Sequence, residues 1–377
     1  MQMDSDPTIE AVFNAYFDCR KTKRNSNNQL RFEIDLEKNL VALHRELCEG
    51  TYKIGRSVAF VITHPKIREV WAADFRDRVV HHLIYNAICD RYHRRFIRDN
   101  YACIPGRGTH DGLRRVSGFA RSITRNWTRS AYFLKADVAN FFNSIDHRIL
   151  IGLAERHVPE EWIRTLIRQV VLHDPRGDFS MRSSPATFDM VPRHKSLLHA
   201  PVGKGLPIGN LTSQFFACLY MNELDQYAKH VLKAKYYGRY VDDVVLLHED
   251  PDVLNEWYVR MDQYIQTSLA IRFHPNKKHL NLVHNGIDFT GFIIKPGRTY
   301  LRQTSLSKCQ QKIRAWERNG SPVDTETLED ISSSLNSYLG MLRQVNGYNA
   351  RKSICERVGS LFLQTDTECT KIRQAAK

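Results

Sequence analysis

Asp242 and Asp243 stand side by side in the middle of YYGRYVDDVVLLHE, a run otherwise rich in aromatic and β-branched residues. Such a run folds as two short strands, and adjacent charges fit best where the chain turns, so the pair marks the tip of a hairpin. Two ionised carboxylates on one tip repel each other, and a turn with no other task would more naturally use Asn-Gly or Asp-Gly. A divalent cation removes that repulsion. An exposed acidic turn has the same sequence, because Asp-Asp is common in loops, so a second feature has to choose between the two.

That feature is Asp137, which ends the apolar run YFLKAD within FLKADVANFFNSID. An ionised carboxylate at the end of a buried strand needs a partner, and a metal shared with Asp242 supplies one. Phosphoryl transfer on two metals requires carboxylates that bridge ions about 3.5–4 Å apart, one ion acting on the attacking hydroxyl and the other on the triphosphate and leaving pyrophosphate. The candidate metal set is Asp137, Val138, Asp242 and Asp243, with Asp137 and Asp242 as direct ligands and Asp243 supporting the ion on the attacking side.

Bulk composition agrees with a polyanionic partner. Lysine and arginine exceed aspartate and glutamate by 55 to 41, giving a net charge of +14 and a sequence pI near 9.4, as in proteins that meet nucleic acid. The acidic start, MQMDSDPTIE, has none of the parts of a signal peptide, and no apolar run approaches the ~20 residues of a membrane span, so a cytoplasmic protein with no membrane partner is expected. The eight cysteines show no CxxC pair and no Cys/His cluster, so they read as scattered reduced thiols rather than a zinc site.

Along the chain, two helices are expected over residues 8–50, parted by a basic break at Arg20 to Arg24. A strand pair should follow in YKIGRSVAFVITHPKIREVWAADF, then a helix with a wet, basic face in RVVHHLIYNAICDRYHRRF. After the Asp137 strand, HRILIGLAERHVPEEWIRTLIRQVV reads as helical. Residues 173–205 carry four prolines without periodicity and read as a long loop, functional or disordered. SQFFACLYMNELDQYAKHVL reads as an amphipathic helix, FTGFIIKPGRTYLR as a hairpin closed at Pro296 and Gly297, and the tail from about residue 305 as helical and polar.

From about residue 50 onward these segments resemble bacterial reverse transcriptases. FLKADVANFFNSID is similar to the first catalytic block of that family, KGLPIGNLTSQFFACLYMNELD to its nucleotide cradle and RYVDDVVLL to its YxDD block. IREVWAADFRDRVVHHLI and NYACIPGRGTHDGL resemble the two fingers blocks, FTGFIIKP the primer-grip hairpin and SYLGMLRQVNGYNAR the thumb helix. The resemblance implies an α+β right-hand polymerase: an N-terminal helical extension over 1–50, fingers and a palm with an antiparallel sheet over 51–303 including the 173–205 insertion, and a short helical thumb over 304–377. It implies RNA-directed DNA synthesis on two Mg²⁺ ions, with Mn²⁺ as a substitute, from an RNA template, a DNA or RNA primer and dNTPs. The chain ends soon after the thumb, so no nuclease or integrase domain is expected.

Most reverse transcriptases resemble QGxxxSP in the cradle, whereas here Ile208 stands for the glutamine and Gln214 for the proline. IGNLTSQ is similar to diversity-generating retroelement reverse transcriptases, whose copying is error-prone opposite adenine. An apolar side chain in place of an amide removes a hydrogen bond beside the nascent base pair, so relaxed fidelity is an implied trait. A small basic helical accessory protein is the partner that this reading implies. Reverse transcriptases of antiviral defence resemble the same set, which leaves the biological role open. A maturase-like RNA-binding scaffold is the reading from another class, and the intact carboxylate trio argues against it.

Carried over residue by residue, the resemblance gives Arg68, Phe142, Ile208, Gly209, Gln214 and Lys277 to the incoming nucleotide. Phe142, five residues after Asp137, matches the aromatic gate against a 2′-hydroxyl; a Phe-Phe pair after a strand is also what an apolar core uses. Lys278 is the alternative to Lys277. Arg107, Tyr240, Lys295 and Arg302 fall to the template and primer. Lys308, Lys312, Arg314 and Arg318 recur at helical spacing and read either as a duplex-facing or a solvated face.

Overall fold

The Thr8 hydroxyl accepts from the Ala11 amide and starts α1 (Ile9–Arg20), and Ser26 caps α2 (Asn27–Ile34) in the same way through the Gln29 amide. The computed structural model describes residues 6–21, 26–64, 66–318, 325–358 and 363–374, so residues 22–24 of the expected basic break lie outside the described residues. Among the described residues three helices, not two, occupy this region. Asp35, at φ −118° and ψ 49°, interrupts the run and opens α3 (Leu36–Cys48), while Asn39 Nδ2 donates to the Phe32 carbonyl left bare at the end of α2.

The expected strand pair is present as β1 (Ser57–Ile62) and β2 (Arg68–Ala72), antiparallel with Ile62 opposite Arg68. Asp74 then caps α4 (Phe75–His93). The wet face expected of α4 is narrow and not basic, its exposed residues being Asn86 and Asp90 with Arg78 and His82 half-buried. Its Phe75, Val79, Val80, Leu83, Ile84, Ile88 and Tyr92 are buried over most of its circumference, because α1, α2, α8 and α10 pack on it. Its arginines are tied down: Arg76 pairs with Glu46, Arg91 grips Glu160, and Arg78 donates to the Ala73 carbonyl at 2.8 Å. Helical spacing also gathers Cys89, Asp90 and His93 within 4.8 Å of one another, a grouping that the scattered-thiol reading missed.

The chain continues through α5 (Thr109–Ile123), β3 (Tyr132–Asp137), α6 (Phe141–Ser144), α7 (His147–Glu155) and α8 (Glu161–Leu172). Residues 173–205 are ordered rather than a bare loop. They form β4 (Phe179–Met181), which adds in parallel to β1, α9 (Pro185–Asp189), and two 3₁₀ turns over Arg193–Lys195 and Leu197–His199. Phe188, Leu197 and Ala200 pack with Ala59 and Trp71 of the β1–β2 pair. Buried Glu69 pins the insertion, accepting from Ser196 Oγ, the Leu197 amide at 2.9 Å and Trp71 Nε1.

Next comes α10 (Leu211–Gln226), which is buried on every side from Phe215 to Met221 rather than amphipathic, and which runs into a π turn at Tyr227–Val231. The hairpin of β5 (Tyr236–Tyr240) and β6 (Asp243–His248) follows, then α11 (Pro251–Leu269), β7 (His279–Leu282) and β8 (Ile287–Phe289). β9 (Phe292–Lys295) and β10 (Arg298–Leu301) form the expected hairpin around Gly297, with β8 as a third strand. The tail holds α12 (Gln303–Arg318), α13 (Thr325–Leu342) and α14 (Tyr348–Val358), plus an unanticipated strand pair, β11 (Leu363–Thr365) and β12 (Ile372–Gln374).

The four-stranded sheet has the order β5-β6-β3-β7. By backbone packing the chain forms two compact units: Met1–Pro105, Ala136–Val244 and Glu256–Lys278 make one, and Gly106–Lys135, Val245–Asn255 and His279–Lys377 the other. In the first, β2-β1-β4 and the α4 and α10 helices surround the core. In the second, Cys309, Ile313, Leu335, Leu339 and Val358 are buried between α12, α13 and α14. Among the described residues no helix is long and apolar enough to cross a membrane.

Candidate active site

The three aspartates meet in the first unit. Asp137 is the last residue of β3, and the chain beyond it is pinned from two directions: the His274 amide donates to the Asp137 carbonyl at 2.7 Å and the Ala139 amide to the Arg272 carbonyl at 3.0 Å. Val138, buried, bridges to Phe273. Asp242 occupies the hairpin turn and Asp243 begins β6. Asp242 lies beside Asp137, close enough to feel its charge. Burial and then the Asp137 charge push the Asp242 carboxyl up to about 7, with Asp243 adding to the effect. Lys277 Nζ donates to Asp137 Oδ2.

This donor set fits hard divalent cations. It consists of carboxylate oxygens only, gathered so tightly that one of them resists ionising, and an ammonium group is already drawn onto another. Metal bound there would involve Asp137 and Asp242 first, with Asp243 alongside.

The turn that presents Asp242 is held by residues the sequence reading passed over. Val241 has φ 56°, a left-handed conformation that a β-branched residue rarely adopts. Arg239 Nη1 donates to the Val241 carbonyl at 2.6 Å. The rest of that guanidinium is fully buried against Asp225 of α10, at 2.7 Å from Nε and 2.6 Å from Nη2, and Tyr237 donates to the same carboxylate at 2.7 Å. Arginine in a strand otherwise lined by aromatic residues was the available signal.

Of the nucleotide candidates, Ile208 and Gly209 lie against β2. The Trp71 amide donates to the Ile208 carbonyl at 2.7 Å. Gly209 has φ 132°, and a Cβ there would come within 2.8 Å of Val70 Cγ1 and 3.0 Å of the Trp71 carbonyl oxygen, so only glycine lets the cradle approach the strand this closely. Gln214 is exposed on the first turn of α10. Phe141 and Phe142 divide the two readings of their pair: Phe141 is in the core, and Phe142 is half-exposed. Arg68 is exposed at the start of β2, near enough to Tyr240 to oppose the upward push that burial gives its phenol. Lys278 lies over the Tyr258 ring, 4.6 Å from its centroid.

Arg107, Lys295 and Arg302 belong to the second unit. Arg107 is half-buried in the loop before α5, Lys295 is exposed at the end of β9, and Arg302 pairs with Asp288. On α12, Lys312 donates to Ser334 at 3.0 Å.

A palm sheet that brings Asp242 beside Asp137, with Asp243 next in the chain, has the architecture of a right-hand nucleotidyl-transfer polymerase. The chain belongs to the reverse transcriptase (RNA-dependent DNA polymerase) family, whose model matches residues 64–294. Members of that family are nucleotidyltransferases that typically work with divalent metal ions. The chain is also similar to Protein YkfC of Escherichia coli K12, with 23% identity over 204 residues. That match takes in 53% of this chain and 48% of YkfC, so the chain spans about half the length of this curated relative.

Proposed function

We propose that this protein is an RNA-directed DNA polymerase that makes cDNA with relaxed fidelity, as in a diversity-generating retroelement. The observation that carries the catalytic part is the meeting of Asp137 and Asp242 at one point, with Asp243 next to them and Lys277 drawn onto Asp137. Two Mg²⁺ ions, or Mn²⁺ in their place, would activate the primer 3′-hydroxyl and neutralise the departing pyrophosphate when bound to Asp137, Val138, Asp242 and Asp243. Lys277, released from Asp137, is then free to reach the triphosphate. Arg68 grips its oxygens, and the half-exposed Phe142 ring packs on deoxyribose and excludes a 2′-hydroxyl. Arg107, Tyr240, Lys295 and Arg302 hold template and primer, within fingers and palm at 51–303 and a thumb at 304–377.

Ile208 supports the fidelity reading. Its carbonyl is fixed by Trp71, while its side chain offers no hydrogen bond to a base pair. A small basic helical accessory protein completes the system on this reading.

The test is dNTP incorporation on a primed RNA template with Mg²⁺, comparing the unmodified protein with Asp242→Asn/Asp243→Asn and sequencing the product. Incorporation that falls to background in the double variant, with errors concentrated opposite template adenine, is the expected result. Accurate copying would remove the diversity-generating part and move the role towards antiviral defence. Silence from the unmodified protein, even with its native RNA and partner supplied, would sink the polymerase reading and favour an RNA-binding scaffold.

A further inference from the structure

Beside the catalytic strand, the insertion builds a cleft lined by none of the residues assigned above to metal, nucleotide, template or primer. Its outer wall is the Arg193–Lys204 stretch, braced from behind by Glu69 and by Arg176, which donates to the Ala200 carbonyl at 2.7 Å while paired with Asp174. His147 and the Ile145 carbonyl hold Gly205 at the wall's end, at 2.7 and 2.9 Å. The opposite wall comes from Asn140 and Asn143 and from the chain just after α11. Between them lies a cavity of about 530 Å³.

The charge around this cavity is one-sided. Arg193, His194, His199, Lys204 and Arg272 line it, and no acidic side chain does. Several arginines elsewhere in the first unit are matched with carboxylates, Arg56 with Asp178 at 2.9 Å, Arg156 with Glu223 at 2.9 Å and Arg168 with Glu155 at 2.6 Å, whereas others, such as Arg148 and Arg182, are exposed singly on the surface. Among the described residues, Arg193, Lys204 and Arg272 make no ion pair. Three uncompensated cations around one cavity, Arg193 and Lys204 on the braced wall and Arg272 on the opposite one, repel one another, and that arrangement is relieved by a bound polyanion.

We propose that this cleft binds the sugar–phosphate backbone of a single-stranded RNA segment lying outside the template–primer duplex. The polymer is taken to be RNA on the strength of the function proposed above. A strand rather than a mononucleotide fits because Arg193, His194, His199 and Arg272 are exposed and come from both walls of the cavity, so that successive phosphates would meet them. Side chains of this kind contact phosphates without reading bases, so binding is steep in salt and indifferent to sequence.

The test compares the full-length protein with Arg193→Gln/Lys204→Gln/Arg272→Gln. Affinity for a labelled single-stranded RNA is measured by anisotropy across a salt series. Each lost phosphate contact removes roughly 0.7 from the log–log slope, so the triple variant should bind with a slope shallower by about 2, and roughly a hundredfold more weakly near 0.1 M salt. Extension of a primer on a template too short to leave the duplex should stay at the unmodified rate, which separates this site from the catalytic one. Arg193→Lys/Arg272→Lys, which keeps the charge, should retain both properties. A second readout uses the unmodified protein: RNA should shield Lys204 from acetylation several-fold. An unchanged salt slope in the triple variant, or equal reactivity of Lys204 with and without RNA, overturns the proposal. So does shielding by pyrophosphate or dNTP alone, which would mark a mononucleotide site.

Discussion

Arg239 and Asp225 are fully buried, and each would be untenable without the other. Removing one partner of such a pair typically costs ~3–5 kcal/mol, because the survivor is left charged and unpaired, whereas replacing both by apolar groups is close to neutral. This asymmetry separates structure from catalysis here, since Arg239 also donates to the Val241 carbonyl in the turn that carries Asp242. Arg239→Met alone should lose stability by about that amount. Adding Asp225→Leu and Tyr237→Phe should restore most of the melting temperature while kcat stays at least tenfold down, roughly the loss expected when a catalytic group is left mispositioned. A triple variant with full kcat would reduce the pair to a packing device. The aspartate trio was legible in the sequence because carboxylates interrupting apolar runs demand an explanation. Arg239 was not: in a chain this basic an arginine reads as solvated, and its partner lies 14 residues upstream on a helix, a neighbour that only the fold supplies.

Between elements, the same limit appears in α4 and α10. Their positions were legible from apolar spacing, but their surroundings were not, because the segments that cover α4 come from α1, α2, α8 and α10. The 173–205 insertion failed differently: it is anchored by single residues such as Glu69 and Phe188 rather than by a periodic face, so no pattern announced its order. His81 joins the two central helices, with Nδ1 2.7 Å from Thr212 Oγ1. Burial, reinforced by the charges of His82, Arg78 and His173, pushes its imidazole down to about 3 from an ordinary 6.5. Below pH 6.5 the unfolded chain takes up a proton that native His81 refuses, so its contribution is complete above 6.5 and lost as pH falls towards 3. Urea unfolding of the unmodified protein should therefore weaken between pH 6.5 and 4.5, by up to ~1.4 kcal/mol per pH unit from this group. His81→Asn, which keeps a partner for Thr212 and cannot charge, should be slightly less stable at pH 7.5 and visibly less acid-sensitive. Parallel pH slopes for the two proteins would remove His81 as the cause.

For the molecule as a whole, the net charge of +14 was legible as a sign of a polyanionic partner, while the two units were not, since each is assembled from three separated segments with no composition shift at their ends. Global stability and the site also pull in opposite directions. Burying Asp242, and then holding it beside Asp137, raises its carboxyl to about 7, so near neutral pH the fold maintains a carboxylate cluster that resists its own charge. A ligand that binds the native state and not the unfolded chain stabilises by RT ln(1 + [L]/Kd), about 1.4 kcal/mol at a tenfold excess over Kd. On a molecule of this size that is a rise of roughly 2–4 °C in melting temperature. Millimolar Mg²⁺ should produce such a rise in the unmodified protein, chelator should remove it, and Asp242→Asn/Asp243→Asn should show none. In chelator the double variant should melt above the unmodified protein, because neutral amides end the repulsion with Asp137 that the site otherwise sustains. If Mg²⁺ raised both melting temperatures equally, the ion would be acting elsewhere on the surface, and the trio would lose its claim to be the metal centre.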